Sequence, residues 1–206
     1  MTKHRITVLG TGDMGGAIIQ ALTERTQHII AVRGSRAGSA SATALVDRLG
    51  VREASEADIE HSDIVFVVVP TKAILAIEPL LREYRGIVVS VSVSGAAGRD
   101  GQKSVAEQLA DAAPGARIVN AFTSIWSDVV REPGNAGKTS AFVCSDDDDA
   151  KAIVMKLADE LGYEPINGGK LSVSLYAEAL GVFAVRLALD SGYGRTISFR
   201  AFKANA

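Results

Sequence analysis

Arg5-Ile6-Thr7-Val8-Leu9-Gly10-Thr11-Gly12-Asp13-Met14-Gly15 decides the reading of this chain. A β-rich run leads into three glycines at the spacing G-x-G-x-x-G, and Ala17, Ile18, Ala21 and Leu22 then recur at helical intervals. That is strand, tight turn, helix. In such a unit the first glycine lets the chain leave the strand, the second lets backbone approach a pyrophosphate, and the third lets helix and sheet pack closely. The amides at the helix N-terminus then face the phosphates. The triplet alone is a weak motif, but its place between a strand and a helix points to a dinucleotide. Gly10, Thr11, Gly12, Asp13, Met14 and Gly15 are therefore candidate cofactor-binding residues.

The end of the next strand, Ile29 to Val32, selects among dinucleotides. An NAD or methyl-donor site normally carries Asp or Glu there for the ribose hydroxyls, whereas this chain reads Val32-Arg33-Gly34-Ser35-Arg36. Guanidinium groups suit a 2′-phosphate, whose oxygens arginine binds in pairs. Arg33, Ser35 and Arg36 are thus expected to hold the phosphate of NADP(H).

The α/β rhythm continues outward from this unit. A helix is expected from about Ser39 to Leu49, ended by Gly50, then a brief strand at Val51 to Glu53. Asp63 to Val69 is a continuous β-branched run of the kind buried on both faces of a parallel sheet, stopped by Pro70. Lys72 to Tyr84 reads as helix, Ile87 to Val93 as strand, Gln102 to Ala112 as helix, and Ile118 to Ala121 and Ser140 to Cys144 as strands. Asp146-Asp147-Asp148-Asp149 opens a helix to about Leu161, where carboxylates complement the helix dipole, and this is preferred to a metal site. Glu164 to Ile166 is extended, and Leu171 to Leu189 is a long apolar helix expected to be buried on most sides. The fold class is α/β, a Rossmann-type doubly wound, mostly parallel sheet of six to eight strands with a small C-terminal helical extension. Residues 1–166 form the NADP-binding domain and 167–206 the extension, packed on the same core.

Composition narrows the function classes. The 206 residues are 47% hydrophobic and 22% charged with a formal net charge of -2, a soluble globular profile that gives no reason to expect nucleic-acid binding. The single cysteine, Cys144, excludes an internal disulfide, and His4, His28 and His61 make no metal-ligand spacing, so no metal is expected. The chain enters its first strand without the apolar stretch of a secretory signal, and its longest strongly apolar run, Ile64 to Val69, is far short of the roughly 20 residues of a membrane span. A cytoplasmic protein is expected.

With these residues in view, the chain resembles the NADPH-dependent reductases of coenzyme F420, a deazaflavin. The resemblance is carried by the glycine turn, by Gly34-Ser35-Arg36, and by Val67-Val68-Val69-Pro70. Further on it is carried by Val119-Asn120-Ala121-Phe122-Thr123-Ser124-Ile125, Phe142-Val143-Cys144-Ser145-Asp146-Asp147 and Gly168-Gly169-Lys170-Leu171. It implies that nicotinamide and deazaflavin stack at the carboxyl edge of the sheet against Val69, Pro70 and Thr71, the stretch from Ser92 to Ala97, and Thr123 to Trp126. It also implies a homodimer. The chain departs from the family where Lys170 stands in place of proline and Leu175 in place of a basic residue.

Three functions follow as expectations. The first is hydride transfer between NADPH and F420 or a related flavin-like acceptor, in which the protein mainly positions two flat rings. Thr123 and Ser124 would orient a carboxamide or ring carbonyl, Trp126 would wall the substrate pocket, and Lys170 would contact the substrate. The second is NADPH-dependent reduction of a small imine, carbonyl or activated alkene, which benefits from a proton donor such as Tyr176, Lys170 or Asp128. The third is a non-enzymatic NADP(H) sensor.

Overall fold

In the computed structural model, which describes residues 3–95, 101–133 and 138–204, the strand-turn-helix unit at the N-terminus is the centre of one sheet. β1 (Arg5–Leu9) leads into α1 (Asp13–Arg25), and β2 (Ile29–Arg33), α2 (Ala40–Leu49), β3 (Arg52–Glu53) and α3 (Glu56–Glu60) follow on one side of it. β4 (Ile64–Val67), α4 (Ile74–Leu81), β5 (Ile87–Ser90), α5 (Val105–Ala112) and β6 (Arg117–Asn120) extend the other side. After the short α6 (Ser127–Arg131) come β7 (Ser140–Ser145), α7 (Asp148–Glu160), β8 (Glu164–Gly169) and α8 (Ser174–Leu189). The eight strands among the described residues lie in the order β3-β2-β1-β4-β5-β6-β7-β8. All pair in parallel except β6 with β7. This is the doubly wound α/β sheet expected from the sequence.

Alternation along each strand sorts the core. Ile6, Val8, Phe66, Val89 and Val119 face Ile18, Ile19 and Leu22 of α1 and Val154 and Leu157 of α7. Leu9, Val65, Val67, Val88 and Ile118 face the opposite layer, with Ile59 of α3, Leu81 of α4 and Leu109 of α5. Both faces being covered explains why β4 reads as an unbroken apolar run. Caps stop the helices where the sequence indicates: Ser39 accepts from the Ala42 amide, Gly50 takes a left-handed φ of 68°, and Asp147 accepts from the Ala150 amide.

Several boundaries differ from expectation. β4 ends at Val67 and β5 at Ser90; Val68 and Val91 still donate one amide each to the Leu9 and Val67 carbonyls, and the chain beyond turns to line a cleft. Thr71–Ala73 is a 3-10 turn preceding α4, which ends at Leu81. Glu164 to Ile166 proves to be the start of a full edge strand, β8, so the division placed at residue 166 falls inside it.

The larger correction concerns α8. Ala177, Glu178, Gly181, Ala184 and Ala188 are buried, whereas Tyr176, Phe183 and Leu189 on the other side are exposed, so burial is one-sided rather than on most sides. Residues Leu171–Leu189 have a mean hydropathy of 1.5, enough by length and composition alone for a membrane span, yet here one face of the helix covers the sheet edge. The small residues make that packing possible: a Cβ on Gly181 would sit 2.2 Å from the Thr123 carbonyl oxygen and 3.2 Å from a Val93 methyl. Gly181→Ala is therefore expected to destabilise the fold by about 1–3 kcal/mol through overpacking, read as a lower midpoint in urea; an unchanged midpoint would mean α8 does not sit this close.

Candidate active site

The strand order reverses between β1 and β4, and α/β sheets bind ligands at the carboxyl ends of the strands at such a point. A cleft of ≈ 420 Å³ lies there, walled by the glycine turn, the segments after β4, β5 and β6, one face of α8 and Arg195. The three glycines differ in what surrounds them. Gly10 has φ +117° and its Cβ would sit 2.2 Å from the Val68 carbonyl oxygen, while a Cβ on Gly15 would sit 2.0 Å from the Gly10 carbonyl oxygen. Gly12 is different, because a Cβ there would meet nothing within 4 Å. It opens into the cleft, at the start of a helix that no side chain caps, which fits a pyrophosphate resting on the helix N-terminus.

The segment after β2 lies beside the glycine turn, the Gly10 amide donating to the Arg33 carbonyl at 2.9 Å, and it does not line the cleft. Ser35 and Arg36 are exposed, and Arg33 spends one N–H on the Ala54 carbonyl at 3.0 Å. A Cβ on Gly34 would strike the Ser39 hydroxyl, so glycine is what lets this turn close over the start of α2. Glu53 orders the same turn by accepting from the Gly38 amide at 2.9 Å, a role that sequence reading missed because it depends on β3 lying beside β2. Thr11 bonds Ser41 at 2.6 Å, linking the glycine turn to α2.

Asp13 has a role the motif does not foretell. Its carboxylate accepts from Ser127 at 2.6 Å and from Arg131 at 2.6 Å, and also from Arg195. These bonds, Ser127's first and Arg131's next, hold the carboxyl well below the usual carboxylate range. Arg195 also reaches Asp128 at 3.2 Å and lies over the Trp126 ring at 5.3 Å. Asp128 is thereby an ion-pair partner of Arg195 and Arg131. This cluster joins α1, α6 and the C-terminal segment at the mouth of the cleft.

The inner end is built by the loops after β5 and β6. Val69, Pro70, Ser92, Thr123, Ser124 and Trp126 all line the cleft, together with Val91, Val93, Phe122 and Ile125. Thr71 does not line it but donates to the Val93 carbonyl at 3.2 Å, and Ser92 donates to the Val69 carbonyl at 2.5 Å. Of the stretch from Ser92 to Ala97, residues 96 and 97 lie outside the described residues. Phe122 holds a φ of 64°, unusual for a bulky side chain, while its ring is fixed between Phe66 and Tyr163 at 6.1 and 5.8 Å. That strained residue turns the chain so that Thr123 and Ser124 reach the cleft. Tyr176 is 68% exposed on the far face of α8, and Lys170 is exposed before the 3-10 turn Leu171–Val173, so neither joins the lining.

Behind this end lies Glu178, fully buried on α8. It accepts from the amides of Val105 at 2.8 Å, Ala106 at 3.3 Å and Ser94 at 3.2 Å. Burial pushes its carboxyl up from 4.5 to about 7; the three amides oppose the shift and the neighbouring Glu107 on α5 adds to it. No periodicity argument finds this residue, since a lone acid in an apolar helix reads as an exposed position.

Two outcomes are expected. Gly12→Ala leaves the urea midpoint unchanged but weakens dinucleotide binding by about tenfold, because the new methyl occupies only the space kept for pyrophosphate, as calorimetric titration would show. The native state also holds the Glu178 proton more tightly than the unfolded chain, so that group's contribution to stability is complete below pH 4.5 and is lost as pH rises through about 7. Glu178→Gln should flatten the fall in melting temperature across that window; an equally steep fall in the variant would assign the pH dependence elsewhere.

Known proteins resemble this chain in sequence and in architecture. Residues 5–94 match the family described as NADP oxidoreductase, coenzyme F420-dependent. The F420-dependent NADP reductase of Methanocaldococcus jannaschii is 29% identical over 200 residues, covering 85% of this chain and 88% of that protein. The crystal structure of an Arthrobacter sp. FB24 protein provisionally named an F420-dependent NADP-reductase superposes with a TM-score of 0.81 at 22% identity, covering 97% of this chain and all of the other. The Aspergillus terreus reductive aminase, solved with NADPH and ethyl-5-oxohexanoate, shares the fold at a TM-score of 0.67 and 19% identity, over 93% of this chain and 64% of its own. The glycine turn and the sheet order agree with this likeness, and the chain is an NADP(H)-dependent oxidoreductase similar to the F420-dependent NADP reductases.

Proposed function

We propose that this protein transfers a hydride between NADPH and coenzyme F420 or a closely similar deazaflavin. The observation that carries the reading is the chemistry of the cleft wall. Among the described residues, its inner end is lined by Val68, Val69, Pro70, Val91, Val93, Ile125, Trp126, Ala184 and Val185, and the only ionisable lining groups, Asp13 and Arg195, are paired with each other. Among the described residues, no Tyr, His, Lys, Cys or Glu lines it. Such a wall suits two flat rings held face to face, where orientation rather than acid-base assistance lowers the barrier.

When bound, NADPH supplies the hydride, and the balancing proton comes from water. The chain's own residues do the positioning. The open face of Gly12 and the start of α1 take the pyrophosphate, and Arg33, Ser35 and Arg36 take the 2′-phosphate. Thr123 and Ser124, nearly buried at the inner end, offer hydroxyls to the carboxamide or a ring carbonyl. Trp126 and the valines exclude water from the ring faces. In this reading Lys170 and Tyr176 lie too far outside the lining to act on the rings, and Leu175 supplies no charge for the acidic tail of F420. A homodimer formed through the exposed face of α8 and a cytoplasmic location belong to the same proposal.

Reduction of an imine, carbonyl or activated alkene is the alternative, and its support is the fold shared with solved structures such as the reductive aminase. Among the described residues, the three side chains suited to donating its proton are not placed to do so: Tyr176 and Lys170 are not in the lining and Asp128 is committed to arginines. An NADP(H) sensor would bind the nucleotide without turnover. The deciding experiment mixes the purified protein with NADPH and F420 and follows the nicotinamide and deazaflavin absorbance bands together. Matched loss of both, with little activity from NADH, is the expected result; NADPH binding without F420 reduction would overturn the proposal. Arg36→Ala is expected to raise the Kd for NADPH by about tenfold, as for a charged hydrogen bond to phosphate, while leaving that for NADH unchanged.

A further inference from the structure

We propose that Glu178 is a positioning residue that sets the nicotinamide end of the cleft, by tying the loop after β5 to α8. This rests on the reading that nicotinamide sits between the loops after β5 and β6. Residues 92, 93 and 94 of the first loop each have a named anchor: the Ser92 hydroxyl to the Val69 carbonyl, the Val93 carbonyl to Thr71, and the Ser94 amide to Glu178 at 3.2 Å. The first two anchors come from the segment after β4. The third comes from α8, the helix that also walls the cleft through Gly181, Ala184 and Val185.

Glu178 and Gly181 are three residues apart, on one face of α8. Glu178 fastens the loop after β5, and Gly181 presses against the Thr123 carbonyl in the loop after β6. One helical face therefore sets the separation of the two loops between which a ring would lie. The other Glu178 oxygen accepts from Val105 and Ala106 at the start of α5, whose first turn is already capped by Ser104. A buried acid is a costly way to hold two helices together, since an apolar residue of the same shape removes the desolvation cost. What an apolar residue cannot do is accept the Ser94 amide and the α5 amides at once.

The test compares two ligands on the wild type and Glu178→Gln. NADPH uses the cleft and the segment after β2 beside it; adenosine 2′,5′-bisphosphate uses only that segment and the glycine turn. The glutamine keeps the shape and can accept the α5 amides through its single oxygen, but its NH2 group cannot accept from Ser94. Binding is read by energy transfer from Trp126, the only tryptophan of the chain, to the reduced nicotinamide, and for the bisphosphate by calorimetry. The expected result is an NADPH affinity about tenfold weaker with reduced energy transfer at saturation, as for loss of a charged hydrogen bond, and an unchanged affinity for the bisphosphate. Equal weakening of both ligands with a lowered melting temperature would make Glu178 merely structural, and unchanged NADPH binding would remove it from the site; either overturns the proposal. Should the glutamine variant not fold, Glu178→Asp, which keeps the charge but shortens the reach, must show the same split between ligands. Absence of F420 turnover in the wild type would defeat the acceptor assigned above and leave this comparison intact.

Discussion

The closeness of α1 to the turn that leaves β1 is the contact on which the rest of the structure depends. A side chain on Gly15 would overlap the Gly10 carbonyl, and one on Gly10 would overlap the Val68 carbonyl. Three backbones, those of the turn, the helix and the segment after β4, therefore meet with no side chain between them. That contact puts the N-terminus of α1 at the reversal of strand order and leaves Gly12 as the open floor of the cleft. The same packing leaves the amides at the start of α1 facing the space that close approach creates, the arrangement that the proposed pyrophosphate site requires.

Around that floor the protein arranges charge to hold structure and leaves the reacting region apolar. Asp13, at the first position of α1, lines the cleft, and its bonds to Ser127, Arg131 and Arg195 make it the peg on which α6 and the C-terminal segment hang. The segment continues to β7, where the Ser140 amide donates to the Phe199 carbonyl and the Ala201 amide to the Ser140 hydroxyl. It thus spans from the cleft mouth to the side of the sheet away from β1. The inner end carries backbone strain instead of charge, with Phe122 fixed in a left-handed conformation by its two aromatic neighbours. Strain of this sort persists only where the surrounding packing over-determines it.

Local sequence was enough for much of this. The glycine spacing, the β-branched runs and the caps at Ser39, Gly50 and Asp147 made the elements legible, because each is governed by interactions within a few residues. The same local logic marked Arg33, Ser35 and Arg36. Thr123, Ser124, Trp126, Val69, Pro70 and Ser92 came instead from the resemblance to the F420 reductases, and all of them line the cleft at or beyond the carboxyl ends of strands. Strand ends were less legible. Val68, Val69, Val91 and Val93 continue the β-rich pattern past the ends of β4 and β5 and line the cleft, and no residue-level propensity separates a valine that pairs from one that lines a cleft.

What the sequence by itself determined is the fold class, the strand-turn-helix centre and the preference for a 2′-phosphate, since these follow from backbone sterics, apolar periodicity and charge at a known turn. Only the tertiary structure decided which polar groups act. Glu53, Asp13, Arg195 and Glu178 take their partners from elements 15 to 182 residues away in the chain, so nothing near them in sequence records the pairing. It also decided that α8 is one-sided and that Tyr176 and Lys170 stay out of the lining, because burial of a helical face is settled by what packs against it, and Gly181 lets that face approach Thr123.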